Sequence, residues 1–213
     1  MIKTLILPAL LETTEMVLFS TLFSVILGFI LAIILVTTSP KGLKPNKIIY
    51  SILDFFINIL RSMPFLILMI SIVPLTKFIM GKSIGTRAAI VPLTIGAMPF
   101  AARVIESALN EVDPGIIEAA KSFGASTMQI IFKVIIKEAM PSIVSGITLT
   151  VINVIGYSAM AGAIGAGGLG DVAVRYGYHR FKVDVMIVTV ITLIILVQLI
   201  QVIGNILYKK LSS

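Results

Sequence analysis

Long apolar runs without charged residues constrain this chain more than any other feature of its sequence. The run 16–36 contains 21 consecutive uncharged residues, the run 143–164 is also uncharged, and the run 183–208 contains a single charge, Asp184. A helix needs about 20 apolar residues to cross the hydrocarbon core of a bilayer. Helices satisfy all of their own backbone hydrogen bonds there. The sequence therefore predicts an all-α integral membrane protein.

The composition supports this class and excludes others. Of the 213 residues, 58% are hydrophobic and 13% are charged, whereas soluble domains are about 45–50% apolar and about 25% charged. The net charge of +7 is scattered over loops and span ends, which is typical of membrane topology signals, so nucleic acid is not an expected partner. The absence of cysteine excludes disulfides and thiolate metal sites.

The apolar pattern predicts a single transmembrane domain, 1–213, with about five spans and no separate soluble catalytic domain. Residues 1–13 resemble a short amphipathic lead-in, and the run that follows is too long for a signal peptide, so it is interpreted as a retained span. The expected spans cover 16–36, 62–79, 88–108, 143–164 and 183–208.

Polar residues interrupt the second apolar region. Asp54, Asn58 and Arg61 precede Pro64, and charges at the bilayer centre are costly. These residues predict a helix near the cytoplasmic surface through Leu60, which is followed by the second span.

The third span contains helix-disturbing residues and a possible ion pair. Pro92, Gly96 and Pro99 predict a kink or an unwound turn. Arg103 and Glu106 lie three residues apart and can pair on one helix face. A structural anchor at the membrane interface and a role in gating both fit this pair.

The segment 113–141 is the only long polar-bearing part of the chain. Asp113 is a good N-cap and Pro114 suits the first helical position. Gly124 can adopt the left-handed conformation that ends a helix. A second helix then runs to the end of the segment, capped by Ser126 or the threonine that follows it. Such a segment predicts two short helices joined by a glycine corner.

Both helices of this segment are amphipathic. Four residues recur at helical spacing on one face of the first helix: Ile116, Ile117, Ala120 and Phe123. Five are expected to form one side of the second: Met128, Ile131, Phe132, Ile135 and Ala139. The remaining face of the first helix has small residues and one carboxylate: Gly115, Glu118, Ala119 and Ser122. Small side chains permit close approach of a partner, and Glu118 supplies one oriented charge; an interfacial connector is the alternative.

A glycine-rich loop follows the fourth span. The run 165–170 formally matches GxGxxG, but a dinucleotide site requires a preceding strand in a βαβ unit, so none is expected here. Beyond it, Asp171, Arg175 and Tyr178 are candidates for docking an external protein. A solvated loop anchored by interfacial tyrosines is the alternative.

The fourth span contains the candidates for a translocation path. Asn153 and Tyr157 lie four residues apart, and Met160 follows on nearly the same face. The flexible thioether of Met160 suits either a hydrophobic gate or core filling.

His179 is the only histidine and is interpreted as a surface residue. Because the sequence has no phosphate-binding loop or catalytic constellation, we do not expect an enzyme.

Several of these motifs resemble one family. The triplet 118–120, followed at the observed spacing by Gly124, resembles the EAA loop of ABC importer permeases. The stretches 61–65, 83–94 and 156–178 resemble the permeases of methionine importers in particular. The family often has proline at the position of Lys137, so the second helix of the segment is expected to continue unbroken.

The resemblance implies a type I importer fold and a set of partners. It implies a homodimer in the bacterial inner membrane with two ATPase subunits, which bind ATP and Mg, and no cofactor in this chain. It also implies an external substrate-binding protein or lipoprotein, and methionine as substrate, with both enantiomers as candidates. Its cytoplasmic coupling helix would contact the ATPase through six residues: Gly115, Glu118, Ala119, Ala120, Ser122 and Gly124.

Alternation of five spans around a cytoplasmic coupling loop places the N-terminus outside and the C-terminus inside. A neutral polar path suits a small zwitterion moving through a lipid-embedded protein.

Two alternatives stay open: a permease for another amino acid or a quaternary amine, and an ion-coupled carrier. Such carriers tend to have internal repeats and mid-membrane ionisable residues. A structural assembly protein, a third alternative, would not need the broken spans.

Overall fold

The computed structural model describes residues 2–212, and this range is helical without any strand. The helices are α1 (Leu7–Thr38), α2 (Lys47–Ser62), α3 (Phe65–Ser71), α4 (Val73–Met80), α5 (Thr86–Asn110), α6 (Pro114–Ser122), α7 (Thr127–Gln129), α8 (Ile136–Glu138), α9 (Met140–Ala163), α10 (Gly168–Val172) and α11 (Val183–Leu211). Three π-helical segments lead into α1, join α7 to α8 and follow α10: Ile2–Ile6, Ile130–Ile135 and Ala173–Tyr178.

Four of the described helices, α1, α5, α9 and α11, are long and apolar enough to cross a membrane. The pair α2 and α3 becomes a fifth candidate if it is counted as one span bent by 106°. This agrees with the prediction of about five transmembrane helices. The bend follows Ser62, close to the expected change of direction, and the region expected as the span 62–79 is divided at Ile72 into α3 and α4.

Helix α1 is longer than the sequence predicted. It begins at Leu7, so most of the segment interpreted as a lead-in is part of the first long helix. Glu12 was expected to belong to the amphipathic lead-in that precedes the first span. Its carboxylate instead accepts a hydrogen bond from the backbone N–H of Gly168 at 2.7 Å, which gives this charge a partner within the fold.

Helices α1 and α5 pack closely along their lengths. A Cβ added to Gly28 would lie 2.8 Å from the Cβ of Ala101, so glycine is needed for the two backbones to approach this closely. The buried hydroxyl of Ser24 donates to the carbonyl of Thr94 at 3.0 Å. Small residues and interhelical hydrogen bonds of this kind are typical of helix pairs in membranes.

Helix α5 passes through two prolines. Pro92 and Pro99 both lie inside the helix, which is assigned without interruption. The unwound turn considered from the sequence is therefore absent from residues 86–110. Both prolines are buried, and packing against neighbouring helices compensates for the hydrogen bonds that proline cannot make.

The remaining long helices differ in their burial. Helix α9 packs against α1, α5 and α11. Helix α11 packs mainly on α9, and three of its residues are buried: Val185, Thr189 and Gly204. Most of its apolar surface is exposed in the isolated protomer, as expected for a helix that faces lipid.

Helix α2 is strongly amphipathic. The side chain of Asn46 caps its first turn by accepting from the backbone N–H groups of Ile48 and Ile49, both at 3.1 Å. Ile57 is its one buried residue and packs against α1 and α5, whereas Phe55 and other large apolar residues are exposed. This pattern is typical of a helix at a membrane interface.

Candidate functional site

The predicted coupling helix, α6, has well-defined ends. The side chain of Asp113 accepts from the backbone N–H of Gly115 at 2.7 Å, which confirms the expected N-cap. At the other end, Gly124 has φ +76°. Its N–H donates to the carbonyl of Lys121 at 2.9 Å, and the N–H of Ala125 donates to that of Ala120 at 3.1 Å. These two bonds form a Schellman motif, so the predicted glycine corner is present.

One face of α6 is exposed and the other is packed. Five of the six residues predicted to couple the chain to an ATPase are exposed: Gly115, Glu118, Ala119, Ser122 and Gly124. The sixth, Ala120, is half-buried and packs with Ile117 against the core cluster that contains Ile130. Its position fixes the helix on the body of the protein, while the other five form a surface that a partner could cover.

The apolar face of α6 is only partly buried. Ile116 is 41% exposed and Phe123 is 91% exposed, so only Ile117 and Ala120 of this face pack on the core. The helix ends at Ser122 and Phe123 is its C-cap residue. The ring therefore leaves the helical register and extends beside the Gly124 corner.

The second helix of the segment begins with a capping box. The N–H of Gln129 donates to the hydroxyl of Ser126 at 3.3 Å, and the Gln129 side-chain oxygen accepts from the N–H of Ser126 at 2.8 Å. The helical path continues through Lys137 to Glu138, as expected from the absence of proline at position 137.

The buried face of this second helix differs from the prediction. Met128 and Phe132 are exposed, whereas five residues are buried: Ile130, Ile131, Ile135, Ile136 and Ala139. The π-helical segment Ile130–Ile135 changes the number of residues per turn. The buried face of the second helix is therefore rotated relative to the apolar face expected from α-helical spacing.

The candidate path residues lie on one stripe of α9. Ser145, Leu149, Gly156 and Met160 are exposed at helical spacing. Asn153 and Tyr157 are half-buried on the same stripe. The stripe is thus uncovered in the isolated protomer, and the three path candidates share it.

Tyr157 is also attached to the bent region. Its ring stacks on that of Phe65, with the ring centroids 4.2 Å apart and the ring planes 3° from parallel. The contact joins α9 to α3, immediately after the bend that follows α2.

Arg103 is the centre of a polar network between α5 and α2. Its guanidinium donates to Glu106 at 2.8 Å, which confirms the pair predicted from their spacing. It also pairs with Asp54 and donates to Asn58 at 3.1 Å. From the sequence, Asp54 and Asn58 were interpreted only as interruptions of an apolar region. Because they are four residues apart in a helix, their spacing also indicated that they share a helix face.

The glycine-rich loop after α9 is used internally. The N–H of Gly168 donates to Glu12, and the N–H of Leu169 donates to the hydroxyl of Thr13 at 2.9 Å. These donors are therefore not available to a phosphate. A Cβ added to Gly170 would lie 2.2 Å from the carbonyl oxygen of Ala159, so the loop packs tightly on the end of α9.

The segment after this loop exposes polar and aromatic groups. Arg175 pairs with Asp171 at 2.9 Å, and Tyr178 is 67% exposed. The neighbouring Phe181 is 84% exposed and has φ +53°, an unusual conformation for a residue other than glycine. Of the three docking candidates, Arg175 and Tyr178 are exposed and Asp171 is half-buried beneath its ion pair with Arg175. Phe181 is a further exposed aromatic residue, which was not predicted from the sequence.

The all-helical membrane fold, together with the comparisons that follow, defines a transport permease of the ABC importer class. Residues 24–213 match the family described as the inner membrane component of binding-protein-dependent transport systems, and the chain belongs to this family. Family membership confirms the assignment of the chain as a transport component rather than an enzyme.

Close relatives agree with this assignment. The chain is 52% identical over 207 residues to the probable D-methionine transport system permease protein of Vibrio cholerae, covering 97% of this chain and 92% of that protein. It is 49% identical over 174 residues to the methionine import system permease protein of Bacillus subtilis, covering 82% of this chain and 78% of that protein. A solved structure of the MetNI methionine ABC transporter, facing inward, is also similar, with 42% identity, a TM-score of 0.96 and coverage of 98% and 97%.

The Gly124 corner gives a direct structural prediction. Replacing Gly124 by valine should weaken the Schellman motif, because the left-handed conformation costs an L-residue about 1–2 kcal/mol. No atom lies within 4 Å of an added Cβ, so the effect comes from the backbone alone. Hydrogen exchange of the amides of residues 124 and 125 should become roughly tenfold faster.

The matched control is Gly124→Asn, because asparagine tolerates the left-handed region. It should exchange at a rate much closer to that of the unmodified chain. Equal exchange rates in the valine and asparagine variants would contradict the assigned role of the corner.

Proposed function

We propose that this chain is the permease through which methionine is imported, driven by a separate ATPase. The observation that carries the proposal is the high identity, over most of the chain, to two permeases whose names specify methionine transport. The name of the first relative specifies the D-enantiomer, so we include both enantiomers as substrates.

The contacts of α6 support a coupling role. Ile117 and Ala120 pack against the same core cluster as Ile105 and Leu109 of α5. A force applied to the exposed face of α6 would therefore reach α5 through packed side chains. In our proposal, closure of two ATPase subunits on this face moves α6. The membrane-spanning helices then change from one packing arrangement to another, which alternates the opening of the path between the two sides of the membrane. Glu118 and the exposed Phe123 ring supply the charge and the apolar contact.

The exposed stripe of α9 supports a path between two copies of the chain. One protomer leaves Asn153, Tyr157 and Met160 uncovered or half-covered, and a second copy related by two-fold symmetry would enclose them. The stripe carries no charged side chain, so its surface suits a zwitterion. We place Met160 at the gate because its exposed thioether is flexible.

The remaining partners follow from the same arrangement. We propose that Asp171, Arg175 and Tyr178 dock the external binding protein, since they lie on an exposed segment at the same end of α9 as Met160. The exposed apolar surface of α11 would contact lipid. The N-terminus would lie outside and the C-terminus in the cytoplasm of a bacterial cell.

Transport can be tested in vesicles that contain this chain with its ATPase and its binding protein. We expect ATP-dependent uptake of labelled methionine that exceeds the uptake of histidine, glutamine and glycine betaine. Equal or faster uptake of a competitor would contradict the methionine assignment, and uptake without ATP would contradict the transporter class.

Coupling can be tested by reversing the charge on α6. Glu118→Lys should abolish most uptake and the stimulation of ATP hydrolysis by the binding protein, because the docking face then presents the opposite charge. The matched control is Glu138→Lys, the same change at an exposed position of α8, which should retain both activities. Normal uptake by the Glu118 variant would remove this residue from the docking face.

Topology can be tested by single cysteines, because the chain has none. In intact cells an impermeant thiol reagent should label cysteines at Lys82 and Arg175 and should not label those at Lys44 and Ser126. Permeabilised cells provide the control that all four positions can react. Strong labelling at position 126 in intact cells would invert the proposed orientation.

A further inference from the structure

A cavity of about 210 Å³ lies where α2 bends into α3. Its lining includes Arg61 from the end of α2, Phe65 of α3, Gly96 and Phe100 of α5, and Tyr157 of α9. The cavity is smaller than the roughly 300–1,000 Å³ of sites for drug-sized ligands, so its size suits a small metabolite. Tyr157 belongs both to this cavity and to the exposed stripe of α9, so the cavity adjoins the proposed path.

Arg61 has no carboxylate partner within residues 2–212. The ion pairs in this range join other arginines to acids, namely Arg87, Arg103 and Arg175. The acid closest to Arg61 along α2 is Asp54, which pairs with Arg103. Arg61 is exposed at the end of α2, so its guanidinium donors are free to bind an external anionic group.

The apolar side of the cavity is preorganised. Phe65 and Tyr157 are stacked at 4.2 Å, which fixes the orientation of both rings. A Cβ added to Gly96 would lie 2.9 Å from the Phe65 ring, so glycine at this position allows the ring to pack against α5. The cavity therefore places a free cation beside a fixed aromatic wall.

We propose that this cavity is a transient subsite for the transported amino acid, with the exposed Arg61 binding its carboxylate. A guanidinium forms paired hydrogen bonds with a carboxylate, and aromatic rings make favourable contacts with a thioether. The subsite rests on the proposed function, because its ligand is the transported substrate. It adds a charged selection step to a path that is otherwise neutral.

The test compares uptake and ATP hydrolysis in vesicles that contain the whole transporter. Arg61→Gln should lower methionine uptake per ATP hydrolysed about tenfold or more, because a charge-assisted interaction with the carboxylate is lost. Arg61→Lys should lie between this variant and the unmodified chain, since it keeps the charge without the planar fork. The matched control is Arg87→Gln, which changes an arginine whose side chain is 80% exposed and paired with Glu15. Methionine uptake per ATP hydrolysed should be the same in this variant as in the unmodified chain.

Two outcomes of this comparison would overturn the subsite. One is an unchanged ratio of uptake to ATP hydrolysis in Arg61→Gln. The other is a parallel loss of both activities, which would assign Arg61 a structural or coupling role. If the unmodified transporter carries a competitor instead of methionine, the proposed function fails. The subsite is then tested by measuring the uptake of that competitor per ATP hydrolysed in the Arg61 variants. A transported substrate without a carboxylate would also overturn the subsite.

A second measurement does not depend on the stability of an Arg61 variant. In the assembled transporter carrying Phe100→Cys, methionine should slow the reaction of this cysteine with a small thiol reagent at least twofold. The control is Phe78→Cys, at a position of α4 that is 87% exposed and outside the cavity lining, where methionine should have no effect. Lack of protection at position 100 would contradict binding in the cavity.

Discussion

The close approach of α1 and α5 is the interaction on which the rest of the structure depends. Glycine and alanine at their interface bring two long helices together, and serine hydroxyls of α1 reach carbonyls of α5. Apolar side chains gain little by leaving lipid for protein, so packing density and hydrogen bonds must supply much of the association energy. Because α5 leads directly into the α6 segment, this rigid pair also positions the exposed face of α6.

Periodicity and capping rules predicted the elements that depend on local sequence. The long helices, the Asp113 cap and the Gly124 corner all follow from residues close in the chain. The buried faces depart from the apolar faces of the sequence where the helical repeat changes or ends. The π-helical segment Ile130–Ile135 rotates the buried face, and Phe123 leaves the register because the helix has already ended.

Long-range contacts were less accessible to sequence reasoning. Asp54 and Asn58 were recognised as unusual in an apolar region, but their shared partner, Arg103, lies on another helix. The role of Glu12 required knowledge that the glycine loop packs beside it. Polar residues in apolar segments thus indicated that partners exist, whereas only the fold shows which residues they are.

The bonds from Glu12 and Thr13 to the glycine loop have a consequence for the order of biogenesis. Each joins residues 156 positions apart in the chain. The first helix is synthesised early, yet its polar groups obtain these partners only after α9 and the loop have emerged from the ribosome. Contacts of such large sequence separation require the closure of a long loop, and its entropic cost makes them slow to form. A nascent chain that ends before Gly168 therefore lacks the backbone donor that holds Glu12 in the completed fold.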